Sequence, residues 1–595
     1  MNKSVIDGVD FYTIFKAGTD SVIRNKENLN LINVFPVRDG DTGTNLALTM
    51  NSIADEATVS EDFDVVIQSM SDAAFENDRG NSGIIFASFI NGFSNACGHL
   101  KSLNLEQFTY GASIAVKEAY SAVSSPVEGT MLTVIREWAN YMTQHYKSHN
   151  TFGALFDGAY QKAVQVLNET PDMLEVLRRN KVVDSGAKGF VMFLEGFSNR
   201  LNEWVHPEIK QDFKSGDIET YSDSHRFSDS VHRYCTEVLV RNSIHQKEAV
   251  EALLEDMGDS LIVTGNQKLL KIHVHTNQPD EVTKRLIASN YKIYKSKVED
   301  MKIQEVLEQS QKSKIAILTD SIADIEDDRI IDEQIHVLPL TLIADDSLYL
   351  DKLTATPNNI QMILDKSVNY PTSSQPDVKQ IRIKLDWLLS RYEQVIIISV
   401  SSALSGTYSN FSRVVEELGD SRGRVKLIDS KLNSGAQGLV VLKAAELANQ
   451  GLTAEHIAKV VTEEIKKASI YVSLDTFKYA VKGGRVPTKV GKVLVALKAK
   501  PIMSLDDDGH GTAFGISFSR KSVDEKIKKH IKKITLKEGV DRYAIVHANN
   551  PELAKLYSER YEAVLGMPPE YVTSISAITS IHAGIGAVAI AIIRR

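Results

Sequence analysis

The spacing of apolar residues changes character along this chain, and that change limits the fold more than any single motif does. Over roughly the first 200 residues, apolar side chains recur every three or four positions. Asp64–Asn77, Leu105–Val123 and Ala154–Leu167 are examples, and the period predicts helices that each bury one stripe. Residues 230–300 switch to short alternating strands with one helix. From Lys314 onward, apolar strands (Ile315–Thr319, Val395–Val400, Val425–Asp429, Tyr543–His547) alternate with amphipathic helices. That order argues for an α/β domain with a mainly parallel sheet. Two polar stretches separate these regimes. Asn202–Asp229 reads as a linker, and Glu299–Lys314 closes the middle unit. The chain is thus predicted to be multidomain: all-α over 1–201, small α+β over 230–300, and α/β over 314–595. Its 595 residues suit about three or four domains. No internal repeat or low-complexity tract interrupts them.

Composition narrows the function class. The chain is 43% apolar and 24% charged, as a soluble globular protein is. A net charge of −9 over this length argues against general binding to nucleic acid or acidic membranes. Two cysteines, Cys97 and Cys235, make no disulfide framework, and a reducing cytoplasm fits. The first residues lack the apolar core of a secretory signal. No apolar run reaches the ~18–20 residues that span a bilayer, so no integral membrane segment is expected. The tail from His582 reads as a turn followed by a buried strand.

The chemistry begins at Asn33-Val-Phe-Pro-Val-Arg-Asp39-Gly-Asp41-Thr-Gly-Thr-Asn45, ahead of a predicted helix over Asn45–Ala57. Asp39 and Asp41 flank a glycine that lets both turn toward one point. The amides of Thr44 and Asn45 are left to face an anion, as helix N-termini and glycine-rich nests do. Magnesium takes one or two carboxylates and completes its octahedron with phosphate oxygens and water. An acidic turn capping a helix would use the same residue types. Three more glycine-polar turns precede helical patterns, however. They are Arg79-Gly80-Asn81-Ser82-Gly83, Glu128-Gly129-Thr130-Met131-Leu132-Thr133 and Asp184-Ser185-Gly186-Ala187-Lys188-Gly189. Four such turns suggest helix N-termini converging on one polyanion. No Walker A pattern is present.

Together these motifs resemble the ATP-binding, DhaL-like domain of dihydroxyacetone-type kinases, and most of all the version found in fatty acid kinase. The resemblance covers about residues 1–200. It implies an all-helical barrel with two Mg2+ held by aspartates below the ATP phosphates. Asp39 and Asp41 match the metal ligands. Asn45, Ser82 and Thr130 fall in the phosphate-contacting turns, with Thr44, Asn81, Gly83 and Asp184 beside them. Arg38 departs from the family, which has proline there.

In the middle unit, Lys271-Ile272-His273-Val274-His275-Thr276-Asn277 alternates polar and apolar. On a strand, His273 and His275 share one face roughly 7 Å apart, and Ile272 and Val274 face the core. Cys235 lies in another strand-like run, Tyr234–Val240. One cysteine and two histidines form a set zinc accepts with a fourth position open. They also suit a polar catalytic cluster, or merely a buried thiol and two surface rings. Tyr234-Cys235-Thr236-Glu237, Gly258–Val263 and His273–Asn277 look like the central domain of the fatty acid kinase catalytic subunit. That likeness implies functional roles for Cys235, His273 and His275, with Glu237 and Lys271 as neighbours.

From Lys314, hydroxyl-rich loops follow apolar strands: Thr319-Asp320-Ser321, Pro371–Pro376, and Ser401–Tyr408. In parallel sheets ligands bind at the carboxyl ends of strands. Hydroxyls hold a carboxylate without cancelling its charge, although such clusters also serve as loop filler and caps. These loops, with Ile428-Asp-Ser430, Lys482-Gly-Gly-Arg485, Lys500-Pro501-Ile502 and His582-Ala-Gly-Ile-Gly586, follow the DegV family in order. That family looks like two α/β lobes enclosing a fatty acid. The resemblance maps carboxylate-binding hydroxyls to Ser373 and Ser405, with Gly406 in the same turn, and basic head-group neighbours to Arg485 and His582. Ser373 replaces a threonine, and Ala583 and Ile585 replace a threonine and a proline.

The whole is similar to a fatty acid kinase catalytic subunit fused to its lipid carrier. The expectation is transfer of the ATP γ-phosphate to a fatty acid carboxylate in a cytoplasmic homodimer, with an acyl-phosphate-using acyltransferase as a downstream partner. A lipid sensor with a nucleotide switch and a small-molecule dihydroxyacetone-type kinase are the alternatives.

Overall fold

The computed structural model of the protein describes residues 3–35, 42–78, 80–123, 126–202, 232–241, 247–265, 269–476, 478–482 and 499–595. The chain divides into two compact units. One takes in residues 1–231, 242–251 and 260–272, the other residues 232–241, 252–259 and 273–595.

In the first unit, long helices close a ring. Gly8–Leu31 packs on Thr42–Glu56. Phe63–Asn77, Gly80–Cys97, Leu105–Ser121, Met131–His145 and Phe152–Met173 each pack on the helix before, and Ser185–Asn202 returns to Gly8–Leu31. The ring is the helical barrel expected from the sequence. Its interior is aromatic: Phe93 and Phe108 centroids lie 4.9 Å apart, and Phe86 meets Phe193 edge-on at 5.1 Å. Each such pair adds about 0.5–1.5 kcal/mol beyond its buried area. Reciprocal caps start two helices, Asp7 with Asp10 and Asn104 with Gln107. Phe152–Met173 runs past its predicted end at Leu167 despite Pro171. Pro171 has no N–H for the Leu167 carbonyl, and the Thr170 hydroxyl donates to that carbonyl instead, at 2.7 Å.

The middle segment holds strands Tyr234–Arg241, Asp259–Gly265, Leu269–Thr276 and Lys292–Asp300. It has two helices where one was expected, Lys247–Leu254 and Pro279–Ala288. The polar stretch after Glu299 that closes the middle unit folds as the helix Met301–Gln309. The Asp300 carboxylate caps it, accepting from Lys302 and Ile303 N–H at 3.1 and 3.2 Å.

The C-terminal residues form two lobes of sheet and helix. The first sheet runs Val425–Asp429, Gln394–Ser399, Ile315–Asp320, His336–Leu338, all parallel. The second sheet departs from the parallel expectation. Its order is Gly511–Ser517, Lys500–Leu505, Ala468–Ser473, Val588–Arg594, Val540–His547, Val572–Ser574, and only the last pair is parallel. The tight link around Asp506–His510 forces a hairpin between the first two of these strands. Val588–Arg594 is the buried tail strand expected from the sequence.

Candidate functional site

In the helical unit, three of the four glycine-polar turns come together. Gly80 opens the helix Gly80–Cys97 with φ of +58°, a conformation that favours glycine, and lies against the Asn45 carboxamide. Asn81 is exposed, Ser82 half-buried and Gly83 buried. The Ser82 hydroxyl lies against Gly186, beside the Asp184 carboxylate. Asp184 is buried and accepts from the N–H groups of Ala187 and Met131, which ties the third turn to the fourth. Burial pushes its carboxyl up to about 6 against those two bonds. The starts of Gly80–Cys97, Met131–His145 and Ser185–Asn202 are thus brought together, with the Asp184 carboxylate taking two of their amides, at the helix ends that favour negative charge.

Thr44 is held elsewhere: its amide donates to Asn30 Oδ1 at 3.0 Å, and its hydroxyl accepts from Asn30 Nδ2 at 2.8 Å. Thr130 caps its helix and donates to the Val127 carbonyl at 2.8 Å. Behind it, Glu128 accepts from Thr133 at 2.7 Å and from Arg136 at 2.5 Å, which braces the turn. The metal aspartates of the sequence reading, Asp39 and Asp41, lie outside the described residues, as do Arg38 and Arg79.

The second cluster is built on strand register. Cys235 stands opposite Glu299 and Glu237 opposite Lys297, so these four share one face while Thr236 and Val238 are buried on the other. Ile272 and Val274 are fully buried, leaving His273 and His275 on the site face. Cys235 Sγ lies 3.9 Å from His273 Nδ1, and one ligand atom each from Cys235, His273 and His275 fall within 4.8 Å of one another. Glu237 Oε1 is 3.7 Å from His273 Nδ1, and Asp259 Oδ1 is 3.2 Å from His275 Nδ1. That second contact commits Nδ1 of His275 to a carboxylate, the arrangement that orients a ligating imidazole.

The two rings are driven apart electrostatically. Burial opposes a charge on His273, but the adjacent Cys235 sulfur and Glu237 carboxylate outweigh it and raise the ring to about 10. Burial and the neighbouring His273 charge lower His275 despite Asp259. Lys297 is raised by Glu299, Glu237 and Cys235 against its own burial. Once the His273 ring and the Cys235 thiol give up their protons, these three side chains offer a thiolate and two imidazoles, a donor set that suits zinc. Asp259, Lys297 and Glu299 were not singled out from the sequence. The alternation in Lys292–Asp300, which puts Lys297 and Glu299 on one face, was the available signal. Lys271, expected beside this cluster, pairs instead with Asp78, two residues before Gly80, and both side chains are buried.

In the C-terminal lobes, the hydroxyl loops adjoin. Ser373 lies exposed on Thr372–Ser374, paired with Leu342 of Thr341–Ala344. A β-carbon at Gly406 would lie 2.1 Å from Gln375 Oε1, which shows how closely the Ser405 turn approaches the side chain at the end of the Ser373 loop. Asn410 donates to the Pro376 carbonyl at 3.0 Å and fastens the two loops. Ser405 Oγ sits 2.8 Å from Thr407 Oγ1. His582 is half-buried on the helix Ala577–Ala583, which is tied to the same loop by Tyr370 donating to the Ile581 carbonyl at 2.5 Å. Ser373, Ser405, Gly406 and His582 are thus carried by adjoining elements. Arg485 lies outside the described residues.

Buried carboxylates set the floor of this arrangement. Asp320 accepts from the N–H groups of Val400 and Ile322, and Asp351 from the Ser321 hydroxyl and the Ile578 N–H. Burial raises both to about 6 from 3.8. A raised folded value means the native chain keeps these protons through the acid range where the unfolded chain has lost them. Their contribution is therefore most favourable in acid and fades as pH rises through 6. In Asp351→Asn the titration is gone. The stability gap between the natural chain and this variant is expected to be about 1 kcal/mol wider at pH 5 than at pH 7, read from urea midpoints at each pH.

Family models match three stretches of the chain. The DAK2 domain matches residues 36–199, the middle domain of FakA-like fatty acid kinase subunits 231–308, and the DegV family, described as an uncharacterised protein, 314–595. Among curated proteins the chain is 34% identical to protein YloV of Bacillus subtilis over 330 residues, 53% of this chain and 59% of that protein. It is 33% identical to an uncharacterised protein of Staphylococcus saprophyticus over 336 residues, 54% of this chain and 60% of that protein. The chain spans about three fifths of the length of these relatives. Among solved structures it is similar to DegV, a fatty acid binding protein from Bacillus subtilis, with 28% identity and a TM-score of 0.43 over 48% of this chain and 100% of that one. A Thermotoga maritima protein whose structure revealed a fatty acid binding function matches at 25% identity and a TM-score of 0.41, over 48% of this chain and 100% of that one.

Proposed function

From a polypeptide that joins a DAK2 domain, a FakA-like fatty acid kinase middle domain and a DegV domain, we propose a fatty acid kinase in which nucleotide and acyl half-sites share one chain. The succession of those three domains is the observation that carries the reading. The DegV part buries the acyl chain, each CH₂ contributing about 0.8 kcal/mol. Ser373 and Ser405 hold the carboxylate as neutral donors, with Arg485 and His582 near the head group. In the helical domain the amides and side chains around Asn45, Ser82, Thr130 and Asp184 receive the ATP phosphates. Mg2+, assigned on sequence grounds to Asp39 and Asp41, would neutralise phosphate charge.

A carboxylate oxygen attacks the γ-phosphorus in line. The new O–P bond forms as the bond to the bridging β–γ oxygen breaks, and ADP leaves with that electron pair. Such transfers need positioning and charge stabilisation more than covalent protein chemistry. Cys235, His273 and His275 would hold a zinc ion, which would supply Lewis acidity toward phosphoryl oxygen. Asp259 and Glu237 orient the two rings. A homodimer is the geometry we favour for transfer.

The test is ATP–Mg turnover with oleate and palmitate, trapping acyl phosphate as its hydroxamate. Hydroxamate should form with the natural chain and vanish in Asp41→Ala and in Ser405→Ala. A chain that binds both ATP and fatty acid yet yields no hydroxamate would sink the kinase and leave a lipid sensor.

A further inference from the structure

The helix Arg520–Lys537 carries eight lysines and arginines against two acids, in a chain whose net charge is −9. Its inner stripe, Val523, Asp524, Ile527 and Ile531, is buried, and Asp524 is taken up by Tyr557 and Arg560. Lys521, Lys529, Lys532, Lys533 and Lys537 are exposed. Among the described residues, no carboxylate pairs with Lys521, Lys528, Lys529, Lys532 or Lys533, and Lys537 meets only its neighbour Glu538.

The same outward stripe leaves Leu536 80% exposed, and Phe518, just ahead of the helix, is 71% exposed. At 1.5 Å per residue the helix is about 27 Å long, so these two apolar side chains stand near its opposite ends. Phe514 and Ile516 on the adjacent strand Gly511–Ser517 are exposed as well.

We propose that this face docks peripherally on an anionic lipid surface. A row of unpaired lysines bracketed by large apolar side chains is the composition that lies in a bilayer interface, where lysines meet lipid phosphates and the apolar groups enter the acyl boundary. Nucleic acid would use the lysines but leave Phe518 and Leu536 in water. The negative remainder of the chain is repelled by the same surface, which orients the molecule helix-first. The assignment stands apart from the kinase reading, since it uses none of the residues placed in that chemistry.

The experiment is co-sedimentation of the full chain with vesicles of phosphatidylglycerol and phosphatidylcholine, against phosphatidylcholine alone, at two salt concentrations. Binding should require phosphatidylglycerol and weaken with salt. It should fall at least tenfold in the combined variant K529Q/K532Q/K533Q/K537Q, and measurably in Phe518→Ala and Leu536→Ala. Unchanged oleate binding by each variant would show that the fold is intact. Equal binding to both vesicle types, full binding by the glutamine variant, or tighter binding to a DNA oligonucleotide than to the anionic vesicles would each overturn it.

Discussion

Replacing His273 with alanine is expected to cut acyl phosphate formation at least a hundredfold while fatty acid binding is retained. The ring sits 3.9 Å from the Cys235 sulfur and 3.7 Å from Glu237, in a face built from four separate strands. Alanine keeps the strand and removes the nitrogen, so the loss reports chemistry rather than folding. Positioned acid–base and metal-holding groups contribute about 10²–10⁴ in rate. Metal analysis separates the two roles. If the cluster holds zinc, His273→Ala and Cys235→Ser should both lose the bound metal, because each removes one of three protein donors. If the ring works as a proton or phosphoryl carrier, metal content stays at zero in every chain and Cys235→Ser retains partial turnover. Hydroxamate within threefold of the natural rate in His273→Ala would remove the cluster from the reaction.

The second large effect is structural. Lys352→Met should destabilise the C-terminal lobes by about 3 kcal/mol, because it strips the cation from a buried carboxylate. Asp324 is fully buried, and the Lys352 ammonium lies 2.9 Å away. The Ser434 hydroxyl and Ser576 N–H also donate to Asp324, but both are neutral. Lys352 has φ of +66°, so methionine inherits the same backbone strain and the comparison isolates the charge. Burial already raises Asp324. Without Lys352 it rises further, and a raised folded value favours the native state in acid. The variant should therefore recover stability as pH falls from 7 to 5, followed by hydrogen exchange of the strand Ile315–Asp320. Lys352→Arg should keep most of the stability, and an unchanged exchange rate in Lys352→Met would show the pair to be incidental.

How much of this was legible in the sequence differs by element. The helices of the ring announced themselves because a 3.6-residue period survives whatever they pack against, and Phe63–Asn77 falls within one residue of its predicted start. The parallel sheet around Ile315–Asp320 was legible for a different reason, as a solid apolar run. The second sheet was not, since apolar runs alone do not tell a hairpin from a crossover. The helix Met301–Gln309 was hidden by its polar surface, although Asp300 is an ordinary cap. At the candidate sites, residues bound to a turn or an alternation could be nominated: Asn45, Ser82, Asp184, Cys235, His273, His275, Ser373 and Ser405. Partners brought in from distant sequence could not. Asp259 beside His275, Asp78 beside Lys271 and Lys352 beside Asp324 are joined only by the fold.

The place of Val588–Arg594 in the second sheet bears on how the chain is made. It is an interior strand between Ala468–Ser473 and Val540–His547, and pairs antiparallel with both. Those two strands share no edge until it arrives. A ribosome must therefore add about 120 residues after Ala468 before the gap can be filled. During that interval one edge of Ala468–Ser473 and, once it is made, one edge of Val540–His547 stand unpaired, which is the condition that invites wrong pairing and the attention of chaperones.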